Sequence, residues 1–196
     1  MGLVFIALQN AVAADRTILV FGDSLSAVHG IRSEEGWVAL LTQRLHSQGY
    51  GYQIVNASVS GETTSGGLAR LPGALQGHHP QLVLLELGAN DGLRGLPLRT
   101  TRENLVQMVR VSQASGAHVL LAGMRLPPNL GPRYTDEFAR MFPELANQYH
   151  LPLVPFLLDK VALNPALVQD DGLHPNARAQ PLILDTVWPY LKPLLK

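Results

Sequence analysis

Four short stretches hold residues able to do chemistry together: Gly22-Asp23-Ser24-Leu25, Ser58-Val59-Ser60-Gly61, Gly88-Ala89-Asn90-Asp91 and Asp171-Gly172-Leu173-His174-Pro175. They supply a serine hydroxyl, a small residue with a free N–H, an amide side chain and an acid–histidine pair. A serine hydroxyl is a weak nucleophile until a base takes its proton during attack. His174 is the candidate base, and a nearby carboxylate can fix its tautomer and stabilise the imidazolium. The spacing of Asp171 and His174 lets one turn present both side chains, provided Gly172 permits a tight backbone. Asp170 competes for the acid role. Taken singly, each part has a plainer reading. Ser24 can cap a helix, Asn90 can sit in a left-handed turn, Gly61 can be a loop glycine and His174 a satisfied loop histidine. Taken jointly, they are the parts of acyl transfer through a serine.

Those parts must be brought together by the elements between them. Apolar runs suited to buried parallel strands occur at Thr17 to Phe21, Gln53 to Ala57, Gln81 to Leu87, His118 to Gly123 and Pro152 to Pro155. Helical periodicity lies between them. Trp37, Leu40, Leu41 and Leu45 share one face, Leu105, Met108, Val109 and Ser112 a second, and Phe138, Met141, Phe142 and Leu145 a third. A last helix starts near Asn176 and carries Leu182, Ile183, Val187 and Leu191, with Pro181 tolerable only in its first turn. The stretch from Thr64 to Leu75 reads as weakly helical, because Gly66, Gly67, Pro72 and Gly73 interrupt it. Strands alternating with helices imply an α/β chain: a three-layer α/β/α sandwich around a five-stranded parallel sheet in flavodoxin-like order. In such a sheet every strand's carboxyl end lies on one edge, where ligands bind. Ser24 follows the first strand, Gly61 the second, Asn90 the third, and Asp171 and His174 the fifth. The four stretches therefore converge on one crevice.

In this order the stretches resemble the signature blocks of the SGNH (GDSL-type) hydrolases, and the likeness runs from about Thr17 to the C-terminus. Gly88-Ala89-Asn90-Asp91-Gly92-Leu93-Arg94-Gly95-Leu96-Pro97 and Met124-Arg125-Leu126-Pro127-Pro128-Asn129 look closest to the bacterial periplasmic acyl-CoA thioesterase I group, also described as lysophospholipases and arylesterases. The resemblance implies Ser24 as nucleophile, His174 as base and Asp171 as acid, through the family's D-x-x-H spacing. It implies an oxyanion hole made by the backbone N–H groups of Ser24 and Gly61 and the side-chain amide of Asn90. It also implies fatty acyl thioesters, aryl esters and lysophospholipids as substrates. Asp23 is read as a brace for the nucleophile loop and Asp91 as structural. The apolar residues bordering the crevice are the candidate acyl-binding set: Val28, Gly30 and Ile31 after the nucleophile, Leu93, Leu96 and Pro97 after Asn90, and Leu126 and Pro127 after the fourth strand.

Composition narrows the alternatives. Basic and acidic residues number 15 each with no basic stripe, which disfavours nucleic acid as a partner. The chain has no cysteine, so disulfides and thiolate metal sites are excluded. The remaining histidines show no metal-ligand spacing along the sequence, no phosphate-binding glycine pattern follows the first strand, and the mechanism needs neither cofactor nor metal. Residues 1–14 are apolar and end in Ala11-Val12-Ala13, which resembles the second half of a secretory signal peptide cleaved after Ala13 or Ala14. The expectation is a periplasmic or secreted enzyme, its single domain spanning residues 15–196. No run approaches the roughly 20 apolar residues of a membrane span, so no stable membrane insertion is expected, and a monomer acting on a small-molecule ester is favoured. The rival readings are a carbohydrate O-acetylesterase of the same superfamily and a catalytically silent lipid carrier. The Leu- and Pro-rich loops weigh against the first, and the intact Ser24, Asn90, Asp171 and His174 against the second.

Overall fold

The computed structural model describes residues 16–196; the expected export signal at 1–14 lies outside the described residues. Its centre is a parallel sheet of β1 (Arg16–Gly22), β2 (Tyr52–Asn56), β3 (Leu82–Glu86), β4 (His118–Ala122) and β5 (Leu153–Val154), in the order β2-β1-β3-β4-β5. This is the flavodoxin-like order, with β1 and β3 in the middle. Ile18, Leu19, Val20 and Phe21 of β1 and Val83, Leu84 and Leu85 of β3 are wholly buried. Near-continuous apolar runs of this kind are what a sheet covered on both faces requires.

Two helices cover one face: α1 (Trp37–Ser47) and α6 (Gln180–Leu191), packed on each other. Across the sheet lie α2 (Thr64–His78), α4 (Leu98–Ala114) and α5 (Pro132–Tyr149), in contact in that order, while the short α3 (Ala89–Leu93) follows β3. The apolar faces read from periodicity are the buried ones. Leu105, Met108, Val109 and Ser112 of α4 and Phe138, Met141, Phe142 and Leu145 of α5 all face the core. In α1, Leu40 is only half-buried and Val38 takes its place. Pro181 falls in the first turn of α6, where its missing N–H costs nothing.

The structure corrects the expectation for the stretch after Thr63. It is a regular helix through His78, in spite of its glycines and Pro72. Tertiary contacts outweigh its poor propensity. The Thr63 side chain accepts from Gly66 N, and the buried Asp91 carboxylate accepts from both Thr64 N and Thr64 Oγ1 at 2.8 and 2.5 Å. Gly67 permits a close approach, since a Cβ there would lie 2.5 Å from Leu87 Cδ1 and force that side chain to shift. The helix ends up anchored at its start and packed against α4 and β1. No helix among the described residues is long and apolar enough to cross a membrane.

Candidate active site

The turn after β1 presents Ser24 at the carboxyl edge of the sheet. Ala27 N donates to the Asp23 carbonyl at 2.8 Å and His29 N to the Ser24 carbonyl at 3.2 Å, closing a tight one-turn loop. Behind it, the buried Asp23 carboxylate accepts from Leu25 N at 3.0 Å, so this side chain does brace the loop. Its other oxygen accepts from Asn90 Nδ2 at 3.0 Å, which fixes the amide in the first turn of α3. An amide nitrogen carries two protons; Asp23 takes one and leaves the second for the cavity.

The opposite wall comes from the long segment after β5. Gly172 adopts φ +70°, a left-handed conformation that lets the chain fold back within one turn. Leu173 N and His174 N then both donate to Asp171 Oδ1 at 2.9 Å, and His174 Nδ1 donates to Asp171 Oδ2 at 2.6 Å. The backbone N–H of His174, its ring and then Leu173 N–H hold the Asp171 carboxyl well below the usual carboxylate range. An ionised carboxylate can only accept, so His174 carries its proton on Nδ1. Nε2 is left to accept from Ser24 Oγ, 2.9 Å away. The acid in contact with the imidazole is thus Asp171 and not Asp170.

Ser24, Gly61, Asn90 and His174 open into one cavity of about 320 Å³. Its apolar walls include Leu25, Leu93, Met124, Leu126, Phe156 and Leu158. Of the candidate acyl-binding residues, Leu93, Leu126 and Pro127 line it. Val28, Gly30, Ile31, Leu96 and Pro97 do not, and each lies elsewhere for a visible reason. Val28 turns its methyls onto Gly36, and Gly30 backs onto the Gln169 side chain. Ile31 lies half-buried beyond that turn. Leu96 points outward with its carbonyl held by Tyr134 Oη at 2.9 Å, and Pro97 is the N-cap of α4. Phe156 and Leu158, from the segment after β5, line the cavity instead, which no local periodicity foretells.

The sequence reading also passed over Glu86. It ends β3 wholly buried, its Oε2 accepting from Asp23 N at 3.2 Å and Ser26 Oγ at 2.6 Å, directly beneath the turn that carries Ser24. Burial, and then the Asp23 charge, push its carboxyl well above the usual range. Burial also pushes Asp23 up to about 6, against the pull of Leu25 N–H and the other donors. The deeper Glu86 is thus the more readily protonated of the pair. A lone acid inside Leu82-Val83-Leu84-Leu85-Glu86-Leu87 was the available signal, since carboxyls are almost never fully buried without a partner.

Residues 20–181 match the GDSL-like Lipase/Acylhydrolase family. The chain is 50% identical over 194 residues to esterase TesA of Pseudomonas aeruginosa, covering 99% of this chain and 96% of that protein. It is 44% identical over 193 residues to thioesterase 1/protease 1/lysophospholipase L1 of Escherichia coli K12, covering 98% of this chain and 91% of that one. Among solved structures, the psychrotrophic esterase EstA from Pseudoalteromonas sp., inhibited by monoethylphosphonate, superposes with a TM-score of 0.88 at 43% identity, over 92% of this chain and 98% of that one.

Proposed function

The chain belongs to the GDSL-like lipase/acylhydrolase family, and from that premise we propose that Ser24, His174 and Asp171 are the residues through which it hydrolyses acyl esters and thioesters. It is a serine hydrolase of ester and thioester bonds. The observation that carries the residue assignment is the unbroken hydrogen-bonded line from Asp171 through His174 to Ser24, at 2.6 and 2.9 Å, ending in an apolar cavity. Ser24 Oγ attacks the acyl carbon while His174 Nε2 takes its proton. Asp171 holds the ring and stabilises the imidazolium that forms. The backbone N–H groups of Ser24 and Gly61 and the free proton of the Asn90 amide receive the oxyanion. His174 then protonates the departing alcohol or thiol, and water releases the acyl group from Ser24 by the reverse sequence.

The cavity suits an apolar acyl chain, which supports fatty acyl thioesters, aryl esters and lysophospholipids as substrates. Action as a monomer, and export directed by the segment ending in Ala11-Val12-Ala13, belong to the same reading. A fluorophosphonate tests the nucleophile directly. Intact mass should rise by one adduct, and peptide mapping should place it on Ser24. A stable adduct on Ser26, Ser58 or Ser60 overturns the assignment, and a chain that takes no adduct is a lipid carrier instead.

A further inference from the structure

The loop after the nucleophile holds a histidine with no part in the acyl-transfer steps. Val28 has φ +64°, a left-handed backbone that a β-branched residue adopts only when its surroundings enforce it. The enforcement is visible. The Val28 methyls are seated on Gly36, and Gln169 Nε2 donates both to the His29 carbonyl at 2.8 Å and to the Pro175 carbonyl at 2.9 Å. That one amide ties the nucleophile loop to the segment bearing His174. As a result the His29 ring lies over the His174 ring, with centroids 4.3 Å apart and planes inclined by 38°. One ligating atom each of His29, Asp171 and His174 fall within 4.8 Å of one another. Sequence separation hid this group, because its members come from loops after β1 and β5.

Two imidazoles and a carboxylate are donors that zinc and its neighbours in the transition series take up. Zinc sits about 2.0–2.2 Å from such atoms, so the three must draw together. His29 and Asp171 are exposed, which leaves the first room to swing inward and leaves an open side for water ligands. We propose that His29, Asp171 and His174 form a binding site for a divalent transition-metal ion of the zinc type, and that occupancy switches hydrolysis off. The conflict is built into the ligands. His174 Nδ1 is spent on Asp171 and Nε2 on Ser24, so a metal on either nitrogen removes a contact that the triad uses. The inhibitory part rests on the reading of His174 as the base; the binding part does not.

The test is calorimetric titration of the purified protein with Zn²⁺, run beside ester hydrolysis at the same ion concentrations. Wild type should bind one ion per chain, and its rate should fall with the same midpoint and return on adding a chelator. His29→Ala should weaken binding at least about tenfold, since losing even a hydrogen-bonding partner of a metal ligand costs that much. Inhibition, measured against that variant's own zinc-free rate, should shift by the same factor. His29→Phe keeps a ring against His174 but has no donor, so it should behave like His29→Ala even if the smaller side chain disturbs the loop. His79→Ala, remote from the site, should bind as wild type does. Unchanged zinc affinity in both His29 variants, no saturable binding in wild type, or binding without inhibition each overturns the proposal. A protein without esterase activity that still binds zinc through His29 would instead sink the functional reading and leave the site standing.

Discussion

At the residue scale, the line from Asp171 to Ser24 divides labour between neighbouring acids. Asp171 touches the imidazole with a low-pKa carboxylate, whereas Asp170 is exposed and is not the acid in contact with His174. Asp171→Asn should leave the fold intact but lower kcat by a factor on the order of 10⁴, the cost of the equivalent change in an unrelated triad enzyme. Asp170→Asn should cost far less, and a reversal of the two effects in steady-state kinetics would refute the assignment. Asn90 is a different case, because its amide is held by Asp23 on one side and open to the cavity on the other. A donor that acts only on the developing oxyanion contributes to kcat and not to KM. Asn90→Ala should therefore lower kcat by about 100-fold or more with little change in KM. A raised KM with intact kcat would make Asn90 a substrate-positioning group.

At the scale of elements, α3 and the chain after β5 decide what the acyl chain touches. Leu93 closes α3 and faces the cavity, while Leu96, three residues on, faces away. The turn between them rotates because Leu96 N donates to the Asp91 carbonyl at 3.0 Å and its own carbonyl is taken by Tyr134. Each buried methylene is worth about 0.8 kcal/mol, roughly fourfold in kcat/KM. Leu93→Ala should thus depress kcat/KM for decanoyl and longer esters several-fold while acetyl and butyryl esters change little. A uniform loss across chain lengths would signal damage to the cavity wall around Ser24, which α3 also borders through Asn90. The strand ends that place Ser24 and Asn90 were readable from apolar runs and their breaks. The outward turn of Leu96 was not, because it depends on a tyrosine 38 positions away in α5.

For the whole molecule, the carboxyls set opposing limits on stability. Asp23 and Glu86 titrate above their ordinary values, so the folded protein binds more protons than the unfolded chain from about pH 4 upward. Their contribution is complete below that pH and is lost as pH rises through about 6 and beyond. Asp171 titrates below its ordinary value, so its contribution holds above about pH 4 and is lost as pH falls further. Taken together, these three carboxyls favour the fold most in mildly acid solution. Glu86→Gln retains an acceptor for Asp23 N and Ser26 Oγ and cannot ionise. It should flatten the decline in Tm as pH rises through about 6. Parallel melting curves for the two proteins across that rise would show that Glu86 is not the group responsible.

The sequence by itself determined the strand order's raw material, the helix faces and the chemistry-bearing residues. Each of these is written locally, in apolar periodicity, in strand ends broken by glycine, and in the three-residue spacing of Asp171 and His174. Parallel crossovers oblige such strand ends to share an edge, so the convergence of Ser24, Asn90 and His174 was also legible. Tertiary structure decided what no local pattern encodes. It made a full helix of the glycine-broken α2 by pinning Thr64 to Asp91, and it brought Phe156 and Leu158 into the cavity while turning Val28 and Leu96 out of it. It also set Glu86 beneath Asp23 and His29 over His174. These pairings join residues far apart in the chain, and their energies come from burial and from partners that exist only once the sheet has assembled.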